Sequence, residues 1–242
     1  MFVFYNNKFN KLLTYFWYCC QYSDLNFYEV SYAAKNQNKT SLVASISKIM
    51  TALIAIQSGK LDQEVTVDDT ILKAYGSCIY IEVGEKLTLR DLVYGLMLRS
   101  GNDAALMISK FVSGSEKEFV KQMNEKAHKL GMKNSTFNNP SGLDETDGNY
   151  SSSYDMAILM REALKYEEFR KITSTKKYKL KTNYKTYIWN NKNKLLANDF
   201  IIGGKTGYTK KAGRTLVSAA NIDNNTFIVV TIKDSDDWNT HL

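Results

Sequence analysis

Residues 44–59 read ASISKIMTALIAIQSG, and this stretch decides much of the fold. Its apolar side chains at positions 46, 49, 50 and 53 are spaced i, i+3, i+4 and i+7, which is the spacing of one helix face. Gly59 is a typical residue for ending a helix. The sequence therefore predicts a strongly apolar helix over residues 45–58.

The start of this helix carries Ser45 and Lys48 in a Ser-x-x-Lys arrangement. The i, i+3 spacing puts the hydroxyl and the amine on one helix face, within reach of each other. A helix N-terminus stabilises negative charge, and together with desolvation it favours a neutral lysine that can act as a base towards serine. Such strings also arise by chance, so a surface Lys48 in a salt bridge stays an open alternative at this point.

Helical patterns fill the middle of the chain, and strand patterns flank them. Further helices are predicted from Thr88, where residues 88–91 resemble a capping box, from about Asn102, and after Ser115. Strand patterns cover residues 14–22, 27–33, 201–209, 214–222 and 226–232. A hairpin turn is expected at 223–225. The predicted class is α+β, with an antiparallel sheet built from both termini and flanked by helices.

Two further strings combine residues that suit a reaction site. Ser100-Gly101-Asn102 lies at a break between two helices and offers a proton relay and an amide clamp, although these residues are also ordinary turn formers. Lys205-Thr206-Gly207 follows two glycines at the start of a strand pattern. There the glycines allow close approach of another chain, the lysine supplies a cation and the threonine a donor for a carboxylate. The alternative is an edge strand protected by lysine.

Composition excludes several classes of function. The chain of 242 residues has two histidines, so a zinc cage or a Ser-His-Asp triad would have to rest on His128 almost alone. Its three cysteines form neither a metal pattern nor an even disulfide set. No stretch of about 20 apolar residues is present.

The net charge of +7 comes from one segment, because residues 170–194 hold nine basic residues and no acidic one. Tyrosine and tryptophan interleave with the lysines, a mixture that could stack on single-stranded nucleic acid. The alternation Tyr178-Lys179-Leu180-Lys181 instead favours a strand pair with solvated lysines, and we therefore expect no nucleic-acid partner. A basic face also suits an anionic cell surface.

Taken together and in this order, the Ser-x-x-Lys, Ser-x-Asn and Lys-Thr-Gly strings are far less expected by chance. With them the sequence resembles the serine D-alanyl-D-alanine carboxypeptidases, the low-molecular-mass penicillin-binding proteins. The resemblance runs from about Asp24 to Asp237 and includes residues 44–51, 84–105, 139–143 and 204–209. It implies a β-lactamase/transpeptidase-like fold.

The resemblance also implies a catalytic set. Ser45 would attack the carbonyl between the two terminal D-alanines of a peptidoglycan stem peptide, and Lys48 would be the general base. Ser100 would relay a proton to the departing D-alanine. Water would then hydrolyse the acyl-enzyme, and no metal or organic cofactor is implied. β-Lactam antibiotics are expected to act as covalent inhibitors.

Substrate-binding residues follow from the same resemblance. Asn102 would hold the substrate amide and help to fix Lys48, whereas Lys205 and Thr206 would engage the terminal carboxylate. Gly207 and Tyr208 complete the set, since the backbone N–H of Tyr208 would form the oxyanion hole together with that of the nucleophile. Many family members add an arginine near the chain end, and residues 234–242 contain none.

The ends of the chain depart from the family pattern. Residues 1–13 stay unassigned and make a poor signal peptide, since they have neither a long apolar region nor a small-residue cleavage site. Residues 14–242 are expected to form the catalytic domain, without the closing helix, C-terminal β-domain or anchor of many relatives. The resemblance implies an extracytoplasmic location at the outer face of the bacterial membrane. Membrane association stays open, with no anchor in this chain.

Two rival functions remain open. A class A β-lactamase shares the serine–lysine chemistry but needs a glutamate that activates the deacylating water, and Glu145 with Asn149 has the Glu-x-x-x-Asn spacing. The second rival is a catalytically silent module that binds penicillin or peptidoglycan.

Overall fold

The computed structural model describes residues 16–23 and 26–242. Its main sheet has five antiparallel strands in the order β2-β1-β11-β10-β9. These strands are β1 (Phe16–Ser23), β2 (Asn26–Lys35), β9 (Ile201–Thr209), β10 (Gly213–Ile222) and β11 (Asn225–Ile232). The α+β prediction of a sheet built from both ends of the chain is confirmed. Residues 1–13 and the start of the first predicted strand lie outside the described residues.

The predicted hairpin between the last two strands is present and tight. Ile222 of β10 pairs directly with Asn225 of β11, which leaves Asp223 and Asn224 as the two turn residues. Both have positive φ angles, 50° and 61°, as a two-residue type I′ turn requires, and Asp and Asn tolerate this region. The turn fixes the register of β10, the strand that holds β9 at the sheet edge.

Seven α-helices and three short strand pairs complete the described part of the chain. The helices are α1 (Lys48–Gln57), α2 (Leu89–Tyr94), α3 (Asn102–Ser113), α4 (Glu116–Lys129), α5 (Ser153–Leu164), α6 (Glu167–Ser174) and α7 (Asp237–Thr240). The short pairs are β3 (Ser41–Leu42) with β6 (Tyr150–Ser151), β4 (Glu64–Thr66) with β5 (Lys86–Thr88), and β7 (Lys177–Lys181) with β8 (Thr186–Asn190). None of these helices is long and apolar enough to cross a membrane.

The decisive apolar helix is α1, and it is buried on all sides rather than along one face. Every residue from Lys48 to Ile56 is buried, because α1 packs against α2, α3, α4, α5 and α6. A helix that is apolar all round is expected at such a central position. The α-helix begins at Lys48, and a 3₁₀ turn over Ala44–Ser47 precedes it. This turn presents Ser45 at the sheet side of the helical layer, next to β9.

The lysine-rich segment forms the predicted strand pair, β7 with β8. Lys177, Lys179 and Lys181 are exposed, whereas Tyr187 and Trp189 are buried against the protein. These three lysines face solvent, as the interpretation of a strand pair with solvated lysines predicts.

Candidate active site

Ser45 lies at the entry to α1, on a turn that neighbouring residues hold in an unusual conformation. The preceding residue, Ala44, has a positive φ of 50°, which is costly for a residue with a Cβ. The Ser47 hydroxyl donates to the Ala44 carbonyl over 2.8 Å. Gly142 approaches the same carbonyl so closely that a Cβ there would lie 2.1 Å from the Ala44 oxygen. The packing of the 139–149 loop therefore fixes the turn that presents the Ser45 hydroxyl.

The Lys48 amine is fully buried beside this hydroxyl. Its Nζ lies 3.0 Å from Ser45 Oγ and 2.7 Å from Asn102 Oδ1, and it also contacts the Ser141 carbonyl oxygen. Burial, followed by the nearby charge of Lys205, lowers the pKa of Lys48 well below its usual value. A neutral amine has two N–H donors and one lone pair. The Asn102 and Ser141 oxygens accept those two donors, so the lone pair is left for the hydroxyl proton of Ser45.

Ser100 and Asn102 lie at an irregular break between α2 and α3. Residues 95–99 form a π turn, and Ser100 follows in the left-handed region with φ 65°. Such turns and strained residues are frequent at functional sites. Asn102 is the first residue of α3; its Oδ1 accepts from Lys48 and its Nδ2 donates to the Tyr75 carbonyl over 2.6 Å. Among the described contacts, the second Nδ2 hydrogen has no partner.

Lys205 approaches Ser100 from β9. Its Nζ donates to Ser100 Oγ over 3.1 Å and to the Thr206 carbonyl over 2.7 Å. Burial, together with the charge of Lys192, lowers the pKa of Lys205 to about 7. The structure thus joins the three sequence strings into two linked pairs, Ser45 with Lys48 and Ser100 with Lys205.

Gly207 brings the edge strand β9 against the turn that carries the candidate nucleophile. A Cβ at Gly207 would lie 2.9 Å from the backbone nitrogen of Ser45 and 3.1 Å from that of Ile46. It would also lie 2.4 Å from the Thr215 hydroxyl oxygen. Only glycine allows this approach, which places the β9 backbone beside the Ser45 N–H.

A cavity of about 350 Å³ opens onto these groups. Five of the predicted site residues line it: Ser45, Ser100, Thr206, Gly207 and Tyr208. The other three, Lys48, Asn102 and Lys205, are buried behind its wall. Five lining residues were not predicted from the sequence: Ser77, Lys192, Arg214, Asp237 and Trp238. In the described part of the chain, no three His, Cys, Asp or Glu side chains gather as metal ligands.

Glu145 and Asn149, the pair that a β-lactamase would need, lie apart from the contacts of Ser45 and Lys48. Asn149 is buried and binds the backbone of residues 138 and 139 through its amide. The Glu145 side chain is exposed and forms a hydrogen bond with Tyr75. Burial is the main cause that raises the pKa of Tyr75, and the charge of Glu145 raises it further. Among the described contacts, none joins Glu145 to Ser45 or Lys48. The geometry therefore gives no support to Glu145 as an activator of water at this serine.

Comparison with known proteins agrees with this geometry. The family model for D-alanyl-D-alanine carboxypeptidases matches residues 25–236. The D-alanyl-D-alanine carboxypeptidase DacF of Bacillus subtilis is 42% identical over 203 residues, which are 81% of this chain and 52% of that protein. The chain thus spans about half the length of this relative.

Solved structures match over most of the chain. A D-alanyl-D-alanine carboxypeptidase from Mycobacterium tuberculosis gives a TM-score of 0.83 at 30% identity, covering 90% of this chain and 81% of the other. A Streptomyces DD-transpeptidase gives a TM-score of 0.80 at 30% identity, covering 88% of both chains.

Proposed function

Because the chain belongs to the D-alanyl-D-alanine carboxypeptidase family, we propose that it removes the terminal D-alanine from peptidoglycan stem peptides through an acyl-serine intermediate. The resemblance seen in the sequence motifs is confirmed as family membership. The β-lactamase/transpeptidase-like fold is confirmed by the solved structures. The proposal concerns residues 14–242 as the catalytic domain.

The observation that carries the proposal is the buried Lys48 amine at 3.0 Å from Ser45 Oγ. In acylation, the Lys48 lone pair takes the hydroxyl proton while Ser45 Oγ attacks the carbonyl between the two D-alanines. Asn102 and Ser141 hold the amine in place during this transfer. Positioned general bases contribute roughly 10²- to 10⁴-fold to such steps.

The developing oxyanion would lie between β9 and the turn before α1. The backbone N–H groups of Ser45 and Tyr208 are the proposed donors, and the close approach at Gly207 keeps the two segments together. Losing one such donor typically costs about 2.7–4 kcal/mol of transition-state stabilisation.

The leaving D-alanine needs a proton on its amine. Ser100 Oγ is the proposed relay: it gives its hydroxyl proton to that amine and takes up the proton that Lys48 removed from Ser45, which returns Lys48 to its neutral form. Lys205 holds Ser100 by a hydrogen bond, and Ser100 lines the cavity next to Ser45. Thr206, which lines the cavity, would donate to the terminal carboxylate, and the second Nδ2 hydrogen of Asn102 would bind the substrate amide. Water then hydrolyses the acyl-enzyme by the reverse proton transfers.

β-Lactams are the proposed covalent inhibitors, because their strained amide and carboxylate offer the same two groups as the D-Ala-D-Ala end. The family acts in the cell envelope. We further propose that this protein works at the outer face of the bacterial membrane, where its substrate lies.

The test incubates the protein with a fluorescent penicillin and, separately, with a peptide ending in D-Ala-D-Ala. Stable labelling with release of D-alanine supports the carboxypeptidase. Rapid loss of label without release from the peptide would instead indicate a β-lactamase, and label without D-alanine release would indicate a silent penicillin-binding module. Ser45→Ala should abolish labelling, whereas the control Ser174→Ala, at an exposed serine at the end of α6, should retain it.

A further inference from the structure

Lys205 and Thr206 leave opposite faces of β9, because adjacent side chains of a strand alternate. Lys205 pairs across the sheet with Val217, a residue of the main core, and its amine reaches Ser100. Thr206 pairs with Leu216, which belongs to a separate apolar cluster on the other face. The two side chains therefore do not converge on one point.

Arg214 lies on the same face as Thr206. It pairs with Tyr208, two residues along β9 from Thr206, and it stands two residues before Leu216 on β10. Trp238 of α7 packs against the Leu216 cluster, and its ring centroid lies 5.7 Å from the Arg214 guanidinium carbon. Both Thr206 and Arg214 line the cavity that contains Ser45. Because β9 is the edge strand of the sheet, residues from both of its faces can line one cavity.

The guanidinium of Arg214 is fixed at one edge and available at the other. Its Nε and Nη2 both donate to Asp237 Oδ1, at 2.9 and 2.6 Å. The Asp237 side chain is 3% exposed, whereas that of Arg214 is 40% exposed. No described residue binds Nη1. Held by Asp237 and stacked on Trp238, the guanidinium presents a preorganised donor to the cavity.

Lys205 is poorly placed for the same task. It is 2% exposed, and its amine already donates to the Ser100 hydroxyl and to the Thr206 carbonyl of β9 itself. Its lowered pKa, about 7, also leaves much of it neutral above neutral pH. Arginine stays charged at any useful pH and matches carboxylates in geometry.

We propose that Arg214, together with Thr206, binds the free C-terminal carboxylate of the substrate, and that Lys205 chiefly positions Ser100. This assignment rests on the proposed carboxypeptidase function. It makes Arg214 the specificity-determining cation for a peptide that lies along the edge of β9 and ends in a carboxylate. It also gives the Asp237–Trp238 segment of α7 a positioning role.

The test compares a peptide ending in D-Ala-D-Ala with its C-terminal amide. For Arg214→Gln, kcat/KM on the acid should fall roughly 10- to 100-fold, the scale of a charge-assisted hydrogen bond, with a change of less than about threefold on the amide. Lys205→Gln should lower kcat/KM on both substrates alike. The matched control is Lys210→Gln, which removes an exposed positive charge from the turn between β9 and β10, close to Arg214 in sequence, and should leave both values unchanged.

A second measurement uses only the parent protein and so does not depend on a variant that folds. The preference for acid over amide should persist from pH 6 to pH 9 if Arg214 reads the carboxylate. A preference that disappears as pH rises past about 7 would identify Lys205 instead and overturn the assignment.

Two further outcomes separate this assignment from the proposed function. A parent that prefers the acid, with a folded Arg214→Gln variant that loses both substrates equally, would overturn the Arg214 assignment alone. A parent that releases no D-alanine from either peptide would overturn the proposed function, and the carboxylate assignment with it.

Discussion

Replacing Gly207 by alanine should disable acylation without unfolding the protein. The new Cβ would lie 2.9 Å from the Ser45 nitrogen and 3.1 Å from the Ile46 nitrogen, and both belong to the turn fixed on the buried helix α1. Carbon atoms normally pack at about 3.5–4.0 Å, so β9 must move away from the turn by about 0.5 Å. That shift separates the two proposed oxyanion donors, and we expect acylation to slow by roughly 10²-fold.

The assay is the rate constant of acylation by a fluorescent penicillin, measured together with the thermal unfolding temperature. Gly131→Ala is the matched control, because Gly131 has a φ of 76° and nothing lies within 4 Å of an added Cβ. That control should lose some stability from backbone strain and keep its acylation rate. If Gly207→Ala acylates within threefold of the parent, the close approach of β9 does not set the reactive geometry.

Lys48→Ala should slow acylation by roughly 10²- to 10⁴-fold in a folded protein. Lys48→Arg should be inactive as well, because arginine keeps its proton. Stopped-flow acylation rates near those of the parent would contradict the role of Lys48 as the base. Acylation should also fall as pH drops through the lowered pKa of Lys48, because the ammonium form has no lone pair, and a flat pH–rate profile would refute this. Since burial lowers the pKa of Lys205 from 10.5 to about 7, the unfolded chain binds more protons between these values, and the free energy of unfolding should rise with pH across that interval. Urea titrations should show a smaller rise for Lys205→Met. Desolvation lowers the pKa of buried His241 from 6.5 to about 3. The stability that neutral His241 contributes above pH 6.5 should therefore be lost as the pH falls towards 3. The free energy of unfolding should fall less over this interval in a folded His241→Gln variant.

The parts of the site that follow from local spacing could be predicted. The i, i+3 relation of Ser45 and Lys48 survives in the structure even though the first residues form a 3₁₀ turn, because Nζ has a long stem with which to reach Oγ. The capping box at Thr88 is also present, with the Thr88 hydroxyl and the Asp91 carboxylate each binding the other's backbone N–H. Both features depend on residues only three apart.

Other parts depend on contacts between distant segments. Arg214 reaches the cavity through strand register, and Asp237 and Trp238 reach it through the packing of α7, so no local pattern marks them. The 139–143 loop contacts Lys48 through the backbone carbonyl of Ser141, which accepts a hydrogen bond from Nζ. Every residue carries such a carbonyl, so the side-chain sequence does not indicate this contact.

Three helices, α5, α6 and the short α7, were not predicted, although α5 had a local signal. The Ser152 hydroxyl accepts from the backbone N–H of Asp155 at the start of α5, which is an ordinary N-cap spacing. The basic segment 170–194 begins inside α6 and continues into β7 and β8. Because the run of positive charge extends across the end of α6, it does not mark where that helix ends.

Peptide mapping by mass spectrometry, after the protein has reacted with penicillin, tests whether Ser45 is the nucleophile. In the structure the Lys48 amine lies 3.0 Å from the Ser45 hydroxyl oxygen, which it would activate. One acyl adduct is expected, on Ser45, and it should be lost in Lys48→Ala. An adduct on Ser47 or Ser100, or undiminished labelling of Ser45 in folded Lys48→Ala, would contradict this assignment.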